Sequence, residues 1–236
     1  MPKNQTFVMV PGAWLGGWAW KRVVPLLEHD GNAVYPLTLT GMGDRVHLAS
    51  PQVGLETAIH DVINAIVYED LEDVVLVGHS FAGKVVAAVA DRIPERLGSL
   101  LFLDAYRPAK VRMPQGDFSA EGWQTLGDGW RVPLTEDIVA SIGKDLTGAD
   151  REWMLSKVTP WLMRYVADPV TLSEKFDSVK KAYIFCTGGG DPVEEILKTK
   201  LDGPHKVLES GHWPMITMPA QLAQATLELA QNLSNL

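Results

Sequence analysis

Residues 73–83 read "DVVLVGHSFAG", and the fold turns on how this stretch is taken. Asp73 to Val77 is a continuous apolar run after its first residue, the pattern of a strand covered on both faces. One serine, Ser80, follows it between small residues. It is either a plain turn serine ahead of a helix or a nucleophile held out on a sharp strand-to-helix turn. The second reading needs small residues two positions to either side, because bulk there would collide across the turn. Gly78 and Ala82 meet that need, and Gly83 lets the helix pack closely. The motif is G-x-S-x-A, one methyl group away from the commoner G-x-S-x-G.

Working outward, short apolar runs alternate with helical patterns. Thr6 to Val10 ("TFVMV") reads as a buried strand and "NAVYPLTL" as a second, with a helix over "GWAWKRVVPLLEHDG" between them. Leu55, Ile59, Val62, Ile63 and Ile66 share one face of a helix ahead of the serine strand. "FAGKVVAAVADRI" is a helix of small residues, and Leu97 to Ala105 is a fourth strand. From 106 to 179 the strand signals stop, and tryptophans, glycines and prolines accumulate. Alternation resumes with strand "KKAYIFCTG", helix "PVEEILKTKL", strand "HKVLES" and helix "PAQLAQATLELAQNL". This order predicts an α/β fold with a mostly parallel sheet and helices on both faces. Residues 1–105 and 180–236 form the expected core, and 106–179 an inserted helical lid.

Composition bounds what such a domain does. With 236 residues the chain can bury a sizeable core, and 46% hydrophobic with 21% charged residues is ordinary for a globular protein. A net charge of −8 argues against nucleic acid or an anionic membrane as partner. The expected partner is a small-molecule substrate. Cys186 is the single cysteine and lies in the apolar run "AYIFCTG", so it reads as a small core residue. The start "MPKNQTFVMV" has no long apolar core, no segment reaches membrane-spanning length, and a cytoplasmic location is expected. No metal-ligand cluster or phosphate loop is apparent, and no cofactor is expected. "TGGGDP" is glycine-rich but lacks the following lysine of a nucleotide site.

A serine hydroxyl needs an adjacent base. Of six histidines, His212 in "ESGHWPM" sits after the last strand and before the last helix, at the same sheet edge as Ser80. His79, inside the turn itself, reads as structural. The acid belongs between them in sequence, at another strand end. Asp191 in "IFCTGGGDP" is favoured, since its glycine-rich loop can bend toward His212. Asp104 in "LLFLDAY" is the rival, at the end of the strand that follows the nucleophile. The oxyanion donors are expected at the N–H of Phe81 and, from the loop "VPGAWLGGW", that of Ala13. Gly12, Trp14, Tyr106 and Trp213 are the candidate substrate-binding residues, with Phe81 and the lid tryptophans completing an apolar, aromatic wall.

With "FVMVPGAWLGGWAW", "VVLVGHSFAG", "LLFLDAYRP" and "ESGHWPM" in place, the chain resembles the α/β-hydrolase superfamily along nearly its whole length. It is most similar to the compact group of plant methyl esterases, salicylate-binding esterases and hydroxynitrile lyases, and to small bacterial esterases. "PGAWLGGWAW" and "GHSFAGKV" are also similar to bacterial relatives that cleave methyl carbamates on aromatic rings, carbendazim among them. The resemblance implies a cofactor-free serine hydrolase acting on a small ester or carbamate. It also admits a small-molecule binding protein on the same scaffold. The lyase members carry a threonine in the first loop and a lysine after the catalytic histidine. Gly12 and Trp213 stand there in this chain, which weighs against lyase chemistry. Pro11 also departs from the group, which usually has histidine before the glycine.

Overall fold

The computed structural model describes residues 4–29, 31–105, 128–190 and 192–235. In chain order its elements are β1 (Thr6–Val10), α1 (Val24–Glu28), β2 (Ala33–Pro36), α2 (Leu55–Tyr68), β3 (Val74–His79), α3 (Ala82–Arg92) and β4 (Leu97–Leu103). There follow β5 (Arg131–Val132), α4 (Glu136–Ile142), α5 (Gly148–Leu155), β6 (Trp161–Leu162), α6 (Met163–Ala167) and α7 (Glu174–Ser178). The chain closes with β7 (Lys181–Gly188), α8 (Val193–Leu197), β8 (His205–Gly211), α9 (Pro214–Thr217) and α10 (Pro219–Ser234). Six strands form one sheet in the order β2-β1-β3-β4-β7-β8, and every neighbouring pair is parallel.

Alternation along the strands divides the core between the two faces of the sheet. Val8, Val10, Val74, Leu76, Leu100 and Phe102 point to the face covered by α2 and α3. Phe7, Met9, Val75, Val77, Leu101 and Leu103 point to the other, covered by α10 and by the segment holding Trp20 and Leu27. Both sets are buried, which is why the strands read as unbroken apolar runs. The face expected for α2 is the one it buries: Leu55, Ile59, Val62 and Ile66 lie inside, with Ile63 half-buried.

Three elements differ from the sequence reading. The expected helix over 17–31 is a 3-10 helix, Gly17–Arg22, followed by the short α1, with the break beside Pro25, which has no N–H to give. The second strand pairs only as far as Pro36, for the same reason, on an edge where proline is tolerated. Residues 128–179 hold α4 to α7, but also an antiparallel ladder of β5 and β6 that two-residue strands are too short to announce. Among the described residues no helix is long and apolar enough to cross a membrane.

Candidate active site

β3 and β4 are paired so that His79 lies beside Leu103, and both strands end there. The next residue of each, Ser80 and Asp104, takes a left-handed backbone with φ of 57° and 41°. Such a conformation costs a non-glycine residue about 1–3 kcal/mol and persists only where its surroundings fix it. They do here: Ser80 N–H donates to Leu103 O at 3.1 Å, and Asp104 N–H to Ile184 O at 2.7 Å. At Gly78 a Cβ would stand 2.7 Å from Val86 and 3.0 Å from Ala82 O, so the elbow admits only glycine there. Gly12 serves the same closeness from the other side. A Cβ at that position would overlap His79 Nδ1 and reach within 2.9 Å of the Ser80 Cβ. The loop after β1 is thereby pressed against the serine, with Ala13 buried and Trp14 held at φ 64°.

His212 follows β8 directly. Its Nε2 lies 2.9 Å from Ser80 Oγ, and its Nδ1 lies 2.6 Å from Asp104 Oδ2. A carboxylate only accepts, so Nδ1 carries the proton and Nε2 presents its lone pair to the serine hydroxyl. Asp104 is sealed from solvent, its side chain 1% exposed, and its Oδ1 accepts from Cys186 N–H at 3.0 Å. Ser80 itself is half-buried. The three groups form one continuous hydrogen-bonded chain from hydroxyl to imidazole to carboxylate.

The carboxylate beside His212 is therefore Asp104 and not Asp191, the residue the sequence favoured; Asp191 lies outside the described residues. The reason is in the glycine loop after β7. At Gly189 a Cβ would overlap Asp104 Oδ2, so the loop lacks side chains to admit a carboxylate from the neighbouring strand. Tyr106 also lies outside the described residues. Trp213 does not join the expected wall: it packs with Trp20 and Met215 in the second face of the core, against Gly143, away from Phe81. Trp14 stands on the opposite face, with Phe81. Its Nε1–H donates to Val132 O at 2.9 Å, and its ring meets Trp161 edge-on at 5.8 Å. Trp161 lies 5.2 Å from Phe81, and Phe81 stacks on Tyr165 at 5.7 Å. An aromatic cluster thus adjoins the nucleophile turn, and Tyr165 is a member that sequence reasoning missed.

His79 has a part that its sequence only hinted at. Its Nε2 lies 2.8 Å from the His212 carbonyl oxygen and so carries the proton, leaving Nδ1 bare, buried and without a hydrogen-bond partner. Burial pushes its pKa well below the ordinary histidine range, and nearby His212 lowers it further. A neutral ring committed to a carbonyl is a brace, not a base. Among the described residues no group of His, Cys, Asp or Glu could hold a metal ion.

The chain has relatives among known proteins. Residues 7–225 match the model of the alpha/beta hydrolase family. The chain is 33% identical over 234 residues to the carbendazim hydrolyzing esterase of Nocardioides sp., covering 92% of this chain and 96% of that one. It is 28% identical to methylesterase 10 of Arabidopsis thaliana over 95% of this chain and 91% of the relative. Among solved structures, a tomato methylketone synthase I variant complexed with beta-ketoheptanoate superposes with a TM-score of 0.83 at 21% identity, over 98% of both chains.

Proposed function

Because the chain belongs to the alpha/beta hydrolase family and its relatives include esterases, we propose that it is a serine hydrolase cleaving a small aromatic or apolar ester or carbamate. The observation that carries this reading is the chain from Ser80 Oγ through His212 to Asp104, at 2.9 and 2.6 Å. Ser80 Oγ attacks the substrate carbonyl carbon as its proton passes to His212 Nε2. Asp104 holds the imidazole in the tautomer that can accept this proton and stabilises the imidazolium that results. The N–H groups of Phe81 and Ala13 receive the negative oxygen of the tetrahedral intermediate. His212 then protonates the leaving alcohol or amine, and an acyl group remains on Ser80. Water, deprotonated by the same imidazole, releases it and restores the serine.

The aromatic cluster of Phe81, Trp14 and Trp161 supports a flat, mostly apolar substrate. The relative named for carbendazim supports an aromatic carbamate as one candidate. In this reading the described part of the expected lid, residues 128–179, supplies Trp161 to the aromatic cluster beside Ser80. The test is turnover of p-nitrophenyl acetate and of carbendazim by wild type and Ser80→Ala. The variant is expected to lose about a thousandfold or more in kcat on whichever substrate is turned over. Equal rates for the two proteins would remove Ser80 from the reaction.

A further inference from the structure

The main chain of His212 is gripped from two sides. Its carbonyl accepts from His79, and its N–H donates to Ile142 O, at the end of α4, at 2.8 Å. The turn after α4 meets the residues around His212 at three more places. Gly143 lies against Trp213, so closely that a Cβ would overlap the indole. Asp145 Oδ2 accepts from Thr217 Oγ1 at 2.8 Å. The other oxygen of Asp145, Oδ1, is buried without a hydrogen-bond partner and lies against Gly211, where an added methyl would overlap it. One short turn, 142–145, thus touches Gly211, His212, Trp213 and Thr217, on both sides of the imidazole.

A buried carboxylate oxygen with no donor is costly and asks for a reason. We propose that the turn 142–145 sets the position of the base, with Asp145 as its positioning residue. Asp145 backs Gly211 on one side of His212 and holds Thr217 on the other, so Nε2 stays within hydrogen-bond reach of Ser80 Oγ. The imidazole's own bonds do not fix the loop that carries it; a shift of the main chain would break the contacts to Ser80 and Asp104 together. Among the described residues the other acceptor that the Thr217 hydroxyl meets is Trp213 O at 3.4 Å, just ahead of α9, and turning to it releases the turn. Asp145 meets neither substrate nor reacting atoms in this scheme, and it acts through His212.

This inference rests on Ser80 and His212 being the reacting pair, and the experiment separates the two. Asp145→Leu, Asp145→Asn and Thr217→Val are assayed with p-nitrophenyl acetate beside Ser80→Ala, with near-UV circular dichroism to establish the folded fraction. Asp145→Leu and Thr217→Val are expected to lower kcat per folded molecule about tenfold, with KM within about twofold, the signature of a misplaced base. Asp145→Asn keeps a carbonyl acceptor for Thr217 and is expected to stay within about threefold of wild type. If Asp145→Leu does not fold, Thr217→Val decides. Folded variants whose kcat stays within about twofold of wild type, even with a lowered melting temperature, overturn the proposal. An active Ser80→Ala instead overturns the reading of the site on which it rests.

Discussion

At Gly189 the backbone runs so close to the Asp104 carboxylate that there is no room for a methyl group. Asp104 in turn has both oxygens spoken for, one by Cys186 N–H and one by His212 Nδ1. Gly189→Ala is expected to push the carboxylate off His212 and lower kcat by about a hundredfold, as a displacement near 1 Å does in other sites. Asp104→Asn, which leaves the shape but favours the wrong imidazole tautomer, is expected to lower it by about ten-thousandfold. Asp191→Asn is expected to stay within about twofold of wild type; steady-state kinetics on the three variants decides, and a collapse of Asp191→Asn alone would restore it as the acid. Ser80 and His212 were legible because each has a local mark, small residues around one and a strand-to-helix loop around the other. The acid was not. Its glycines stand far along the chain from Asp104, so "TGGGDP" reads as a flexible loop for its own aspartate.

Among the elements, the long periodic ones were readable and the short ones were not. β1 and β3 announce themselves by unbroken apolar runs and α2 by its apolar period, whereas β5 and β6 have two residues each and are set by contacts with the rest of the fold. The join between α3 and α6 is of this second kind. Lys84, on the nucleophile helix, reaches Val166 O at 2.9 Å and Asp168 O, and so ties down the end of α6. Burial pushes its pKa below the ordinary lysine range, with Asp168 opposing the shift. The Asp168 side chain continues the tie, accepting from Leu55 N–H at the start of α2 and from Arg164. Lys84→Met keeps most of the side chain's length but leaves those carbonyls without their donor. It is expected to cost about 2–3 kcal/mol, read as a lower midpoint in urea. An unchanged midpoint would mean that the α6 end is held by Arg164 and Asp168 alone. The segment so tethered carries Tyr165, which stacks on Phe81, so the same contact steadies the aromatic cluster beside Ser80.

Over the whole molecule, the two-faced core and the all-parallel sheet follow from strands that are apolar on both sides, and this was the most legible level. What such a core does to a polar group inside it sets the last expectation. His79 is wholly buried at the end of β3, and its pKa lies well below the ordinary 6.5. The unfolded chain therefore takes up a proton, as pH falls through about 6.5, that the folded protein refuses. Stability is full above that pH and is lost below it, by about 1.4 kcal/mol per unit, until the folded pKa is reached. The carboxylates of Glu56, Asp128 and Glu228, lowered by Arg92, Arg131 and Lys206, add their own loss only below their ordinary values of 4.5, 3.8 and 4.5. The interval from about pH 6.5 to about pH 5 thus isolates the histidine from them. His79→Gln keeps a donor for the His212 carbonyl but has nothing to titrate. Its urea stability is expected to fall less steeply than that of wild type across this interval, by up to about 1.4 kcal/mol per unit. Parallel slopes would mean that the folded protein protonates His79 as readily as the unfolded chain does, and that the brace beneath His212 is not a neutral ring.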